Sequence, residues 1–205
     1  MEYFDRIISL GQDCGVAGSL RKMEYKESTY PFDWNVTNMG FIFKCFRTKF
    51  KIFETVFRQS EKSGNGHLKY DNSIYFYHDT KNKFDKSLEQ KYIKRGMRLH
   101  DLCSSNKKIL FIRKGPDDNM KKIKKFIQLI IEVYPKLQFK ILLINNIKEK
   151  NILPKYIIHK YKPLESFKQF SNDIWKHRDY FQAYKCVYEE ISQIKSLKFK
   201  QPERK

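Results

Sequence analysis

The sequence has no long uncharged apolar run, and this absence excludes a transmembrane helix. Nowhere in its 205 residues do about 18 uncharged apolar residues follow one another. An apolar secretory leader is also missing, since Asp5 and Arg6 interrupt the first residues. We therefore expect a cytoplasmic protein with no membrane span.

Cysteine is sparse, and its spacing excludes a disulfide framework and the usual zinc motifs. The four cysteines lie at positions 14, 45, 103 and 186, and no two of them form a CxxC pair. We expect reduced thiols in a reducing compartment. The sequence calls for no metal and no cofactor.

Acidic residues are few compared with basic ones. The chain has 23 Asp and Glu against 42 Lys and Arg, which gives a formal net charge of +19. Such an excess is typical of proteins that bind nucleic acid or an acidic membrane surface. The lysines are scattered along the chain, however, which is more typical of a solvated surface. Binding of an anionic partner therefore stays open.

Apolar residues are plentiful enough for a core. Hydrophobic residues make up 40% and aromatic residues 16% of the chain. A chain of this length buries about 70% of its unfolded surface, so it folds without staples. We predict a single α/β domain over residues 1–195 and a fraying basic tail over residues 196–205.

Continuous apolar runs alternate with amphipathic segments in the second half of the chain. Residues 107–113 and 137–144 are typical of buried strands, and residues 120–134 between them have helical periodicity. This succession is typical of a parallel sheet covered on both faces. We predict a single-domain three-layer sandwich with a mostly parallel central sheet, Rossmann-like or SGNH-like.

A cysteine stands at the first junction between a predicted strand and a predicted helix. Cys14 follows an apolar strand over residues 3–8 and precedes a helix over residues 16–23. The first turn of a helix offers unpaired N–H groups and the positive end of the dipole, and both favour a thiolate. Gly11 and Gly15 allow a sharp turn and leave backbone N–H groups open to an oxyanion. The alternative is a small buried cysteine.

Other polar residues end predicted strands on the same side of the sheet. Sites in open parallel sheets lie outside the carboxyl ends of the strands, which groups Cys14 with His78 and Arg113. Arg95 and Arg98, three apart on a predicted helix, have the reach for a carboxylate or phosphate; the alternative is that they extend to water.

Four motifs carry a family resemblance. The opening Ile8-Ser-Leu-Gly-Gln-Asp-Cys14 is followed by Ser28-Thr-Tyr-Pro-Phe-Asp33-Trp34, and later by Phe76–Asp79 and Leu110–Arg113. Together they resemble the papain-like cysteine peptidase family, a domain of unknown function found in bacteria and large DNA viruses. The resemblance extends from about Ile7 to Asn145, which is most of the chain.

The resemblance implies a role for each matching residue. Cys14 would be the nucleophile and His78 the general base. Asp33 or Asp79 would orient the imidazole, and Gln12 would hold the oxyanion together with backbone N–H groups. From the residues themselves, Asp33 is equally explained as a paired carboxylate or a helix cap.

The sequence also offers candidate residues for substrate binding. We assign substrate binding to Arg95, Arg98, Arg113 and Trp34, with an acyl or peptide substrate of unknown identity. The Gly-Gln-Asp-Cys loop also resembles the nucleophile turn of SGNH-type esterases and acyltransferases, which place their histidine late in the chain. His177 is therefore a rival base. A non-enzymatic alternative is that the basic residues bind nucleic acid or a phosphorylated glycan.

Overall fold

The structure is a computed structural model that describes residues 2–63, 67–78, 86–115, 120–145, 155–161, 189–191 and 197–199. The helices of this part are α1 (Gly15–Lys22), α2 (Met39–Arg47), α3 (Phe53–Val56), α4 (Lys86–Ser104) and α5 (Met120–Val133). A 3₁₀ turn over Phe57–Gln59 follows α3. The strands are β1 (Glu2–Phe4), β2 (Arg6–Ser9), β3 (Val36–Thr37), β4 (Glu61–Lys62), β5 (Leu68–Tyr70), β6 (Ile74–Phe76), β7 (Lys108–Lys114), β8 (Gln138–Asn145), β9 (Ile157–Tyr161) and β10 (Leu197–Phe199).

Four strands form the parallel sheet that the apolar runs predict. Their order is β2-β7-β8-β9, and each neighbouring pair is parallel. In register, Ile8 lies beside Phe111, and Phe111 lies beside Ile141. All four strands therefore end at one edge of the sheet, and the α/β class with a parallel sheet is confirmed.

A second four-stranded sheet is antiparallel, with the order β3-β6-β5-β4. Asp71 and Asn72 join β5 to β6 and have φ values of 47° and 45°. Two consecutive left-handed residues are typical of a tight hairpin turn. This sheet matters for the site because β3 places Thr37 beside the loop that follows β2.

The parallel sheet buries side chains on both faces. Ile8, Phe111 and Ile141 belong to a large core cluster that also contains residues of α2, α4 and α5. Their sequence neighbours Ile7 and Leu110 belong to a second cluster, with Val16 and Leu20 of α1. Since neighbouring strand residues point to opposite faces, the two clusters lie on opposite sides of the sheet.

An aromatic group centred on Phe46 of α2 fills the larger cluster. The ring of Phe46 lies 4.9 Å from Phe126 of α5, 5.1 Å from Phe50 and 5.9 Å from Phe111 of β7. Phe32 stacks on the same ring at 6.5 Å. The Pro-Phe-Asp-Trp motif is thereby attached to the core.

The predicted basic tail contains a short strand. Residues 197–199, within the predicted tail, form β10 and pair in parallel with β1, Phe4 lying beside Phe199. The domain limits stay a prediction.

Among the residues that the structure describes, no helix is long and apolar enough to cross a membrane.

Candidate active site

Cys14 stands where β2 passes into α1. It is the residue before the first helical residue, with φ −76° and ψ −7°, and its carbonyl oxygen accepts a hydrogen bond from Gly18 N at 2.9 Å. Its side chain is half-buried. The structure therefore places this thiol at the N-terminus of a helix and outside the carboxyl end of a parallel strand, where the helix dipole favours an anion. The expectation that Gly11 and Gly15 leave their backbone N–H groups open is wrong, because Gly11 N donates to Ser9 Oγ at 3.1 Å and Gly15 N donates to Asp13 Oδ1 at 2.7 Å.

Two other cysteines have a different environment. Cys45 on α2 and Cys103 on α4 are buried in the larger core cluster. Burial raises the pKa of both thiols well above the ordinary range, because a thiolate there would lose its hydration. In the described part of the chain, Cys14 is thus the one cysteine that reaches the surface.

Asp13 covers part of the helix N-terminus. Its Oδ1 accepts a hydrogen bond from Gly15 N at 2.7 Å, and its Oδ2 pairs with Lys114 Nζ at 3.4 Å. Lys114, at the carboxyl end of β7, is only 2% exposed. The sequence analysis missed both residues, although an Asp two residues before the first helical residue is itself a signal for capping.

The turn before Cys14 has an unusual backbone. Gly11 and Gln12 are both left-handed, with φ values of 73° and 84°. A Cβ at Gly11 would overlap Oγ1 of Thr37. The Gln12 N–H donates to that same oxygen at 3.3 Å, and the Thr37 hydroxyl donates to Leu10 O at 3.3 Å. Thr37, which no sequence motif singles out, therefore sets the shape of the turn.

Arg113 lies beneath this turn. Its side chain is 1% exposed. It donates to Leu10 O at 2.9 Å, to Thr37 O at 3.0 Å and to Gln12 Oε1 at 2.5 Å. The sequence analysis assigned Arg113 to substrate binding, whereas the structure places its donors on the loop of Cys14.

His78 contacts the ring of Trp34. The two rings meet edge to face at 5.9 Å, and the Trp34 ring also lies 5.0 Å from the Arg21 guanidinium and 5.2 Å from Lys26 Nζ. His78 is exposed. Arg21 is near the end of α1, about 10 Å along the axis from Cys14 at 1.5 Å per residue. These contacts place His78 beside Trp34 and the two cationic side chains that lie against the same ring.

Asp33 is a paired carboxylate. It is 2% exposed, and its Oδ2 accepts a hydrogen bond from Tyr30 N at 2.7 Å and pairs with Lys26 Nζ at 2.5 Å. Burial raises the pKa of Asp33 despite the nearby lysine, and burial lowers the pKa of Lys26. Of the roles that the sequence left open, pairing is the one this geometry gives; orientation of His78 stays a prediction.

The predicted arginines of α4 lie beside the same segment. The Arg95 guanidinium lies 4.8 Å from the centre of the Tyr92 ring, and Arg98, which is exposed, donates to Thr29 O at 2.6 Å. Tyr92 is buried, and its hydroxyl donates to Asn35 Oδ1 at 3.0 Å. Substrate binding by either arginine stays a prediction.

Three further histidines have described contacts with other residues. The ring of His67 lies 4.7 Å from the ring of Tyr77. His100 bonds through Nδ1 to the Tyr134 hydroxyl at 2.9 Å. His159 on β9 bonds through Nε2 to Asn145 Oδ1 at 2.8 Å. β9 is three strands from β2, about 14 Å at the usual spacing. Asp79 and His177 lie outside the described residues.

Comparison with known proteins gives a family match over this part of the chain. The model of a family described as "Putative papain-like cysteine peptidase (DUF1796)" matches residues 5–149. An uncharacterized protein of Acanthamoeba polyphaga mimivirus is 32% identical over an alignment of 133 residues, and the match covers 52% of this chain and 60% of that protein. The chain thus spans about three-fifths of the length of this relative. No solved structure matches.

Proposed function

The chain belongs to the family described as "Putative papain-like cysteine peptidase (DUF1796)", whose model matches residues 5–149. From this premise we propose that it hydrolyses peptide or other acyl bonds with Cys14 as the nucleophile. The observation that carries the proposal is the position of Cys14, a half-buried thiol at the start of α1 and at the carboxyl end of β2. The helix start favours the thiolate, which is the nucleophilic form.

The proposed reaction has two steps. A general base takes the thiol proton, Cys14 Sγ attacks the carbonyl carbon, and the leaving amine or alcohol departs with a proton from the same base. Water then attacks the thioester, releases the acid and restores the thiol. The tetrahedral oxyanion of each step needs N–H donors, and the side-chain amide of Gln12 is the proposed donor.

His78 is the proposed base, with Asp79 or Asp33 as the residue that orients it. Its exposure and its place in the Phe-x-His-Asp motif support this role. His177 is the rival. Trp34 and Arg98 reach the surface in this region, which supports substrate binding by them and by Arg95.

We also propose a fold and a cellular compartment for the protein. Core clusters on both faces of the parallel sheet support a single-domain three-layer sandwich of the Rossmann or SGNH kind. If the likeness to SGNH enzymes extends to chemistry, the substrate is an ester or thioester rather than a peptide. We propose a reducing, cytoplasmic compartment because the reaction needs Cys14 as a thiol.

Alkylation by iodoacetamide at pH 7 tests the nucleophile. Mass spectrometry of the modified peptides should show Cys14 reacting faster than glutathione, with Cys45 and Cys103 protected by burial. Cys14→Ala should remove this reaction and Cys186→Ala should not. A Cys14 that reacts no faster than the same residue in the urea-unfolded chain would contradict the proposal.

The base is identified by the same assay across pH. Loss of the true base should move the alkylation profile of Cys14 to higher pH, because the thiolate loses its imidazolium partner. His78→Ala and His177→Ala are compared, with His100→Ala as the control because that ring bonds to Tyr134 instead. A profile that neither His78→Ala nor His177→Ala moves would contradict a histidine base at both positions.

A second candidate function is binding of an anionic polymer. Lys121, Lys122 and Lys125 are all exposed on α5, whose opposite side packs into the core. Binding of nucleic acid through them should fall steeply with salt, weaken on replacement of the three by Gln, and survive Cys14→Ala. Hydrolysis by Cys14 should instead be lost in Cys14→Ala, and it should persist when salt is raised and when the three lysines are replaced by Gln.

A further inference from the structure

The side chain of Gln12 is held from two sides. Arg113 donates to Gln12 Oε1 at 2.5 Å. A guanidinium can only donate, so it must face the amide oxygen, and the NH₂ end of the amide then points away from Arg113. On another side, a Cβ at Gly115 would lie 2.7 Å from Gln12 Cδ and 2.9 Å from Oε1. The amide therefore fits only because residue 115 has no side chain.

Both holding residues are themselves fixed by strands. Arg113 belongs to β7 and also donates to Leu10 O after β2 and to Thr37 O on β3. Gly115 follows β7 and donates its N–H to Ile144 O of β8 at 3.0 Å. The orientation of the Gln12 amide is thus set by the sheets and not by the loop alone.

We propose that Arg113 and Gly115 are positioning residues that aim the Gln12 Nε2 amide at the oxyanion formed when Cys14 attacks a carbonyl. The inference rests on the proposed function of Cys14. A donor already oriented before reaction stabilises developing charge without reorganisation, and for this reason oxyanion donors are held rigidly. Arg113 acts through Gln12, because its own donors are engaged beneath the loop and its side chain is buried.

Two chemical probes separate this role from general damage to the loop. With p-nitrophenyl acetate, Cys14 Sγ attacks the carbonyl carbon, the ester C–O bond breaks, p-nitrophenolate leaves and a thioester forms through an oxyanion. With iodoacetamide, Sγ displaces iodide from a saturated carbon and no oxyanion forms. The ratio of acylation to alkylation at Cys14 therefore reports on the oxyanion donor alone.

Gly115→Ala is the decisive variant. The φ of Gly115 lies outside the left-handed region, so alanine is tolerated by the backbone. The three heavy atoms nearest to the new methyl group all belong to the flexible side chain of Gln12. We expect acylation to fall by about 100-fold, the usual effect of losing one oxyanion donor, with alkylation unchanged. Gln12→Met should do the same, and the double variant should be no slower than Gln12→Met. Gly40→Ala, on the exposed side of α2, is the matched control.

The outcomes distinguish the inference from its premise. If the wild type acylates Cys14 and Gly115→Ala does so at the same rate, or if the two substitutions act independently, the inference is wrong and the nucleophile stands. If the wild type neither acylates nor alkylates faster than an unfolded thiol, the proposed function fails and the inference fails with it. Arg113→Lys, which keeps the charge but loses the second N–H arm, should lower the same ratio.

Discussion

Replacement of Gly11 by alanine should destabilise the protein through one identifiable neighbour. Gly11 has φ 73°, where a residue with a Cβ costs about 1–2 kcal/mol. The new methyl group would overlap Thr37 Oγ1, so Thr37 must move. It would then lose its hydrogen bonds with Gln12 N and Leu10 O, each of about 1 kcal/mol. We expect a total loss of about 3–4 kcal/mol, which is within the 5–15 kcal/mol typical of a domain.

A double-mutant cycle separates the two contributions. In a Thr37→Ala background the overlap and the hydroxyl bonds are absent, so Gly11→Ala should cost only the backbone term of about 1–2 kcal/mol. The assay is urea unfolding followed by far-ultraviolet circular dichroism. Gly40→Ala gains helix propensity in α2 but brings a Cβ to 3.2 Å from Asn38 Oδ1, so it should change the free energy of unfolding by less than about 1 kcal/mol. Equal costs of Gly11→Ala in both backgrounds, within about 0.5 kcal/mol, would refute the reasoning.

Three further substitutions test the core and the buried polar groups, each by urea unfolding. Phe46→Ala should cost about 3–5 kcal/mol, because the ring is fully buried among other aromatic rings; a cost under about 1 kcal/mol would contradict that packing. Tyr92→Phe should cost about 1–3 kcal/mol, since it leaves the buried Asn35 amide without its hydroxyl partner; a neutral effect would contradict the bond. Asp33→Asn should cost about 3–5 kcal/mol at pH 7 by leaving Lys26 buried without a counter-ion. Since burial lowers the folded pKa of Lys26 below its unfolded value, the variant should regain stability as the pH rises from 7 toward 10, and a deficit that stays constant would exclude Lys26 as its cause.

The parallel sheet was predictable because its signal is local. The apolar runs at 107–113 and 137–144 became β7 and β8 within one residue at each end, and the periodic segment between them became α5. Strands buried on both faces have continuous apolar sequence, and an amphipathic helix repeats every 3.6 residues. Both patterns are visible without knowledge of what the segment packs against.

The second, antiparallel sheet was harder to predict from the sequence because its strands are short. β3 and β4 have two residues each, too few for alternation to show. Thr37 therefore had no pattern to mark it, although it shapes the turn before Cys14.

The candidate site was predictable only in part. The position of Cys14 follows from a strand, a glycine turn and a helix in succession, all of which are local. The role of Arg113 does not, because an arginine that ends an apolar strand has the same sequence context whether it faces solvent or the core. Its partners Leu10 and Thr37 are 103 and 76 residues away in the chain. Hydrogen bonds between residues so far apart in the chain leave no periodic pattern in the sequence.

The long separation of these partners also sets a time order for the growing chain. During synthesis Cys14 leaves the ribosome about 100 residues before Arg113, which at the usual rates of elongation is on the order of 5–20 s. Until β7 joins β2, the guanidinium that holds Leu10 O and Gln12 Oε1 is not in place. The nascent polypeptide therefore carries a thiol whose surroundings are still unassembled, and reactivity that depends on them is postponed until the central strands have met.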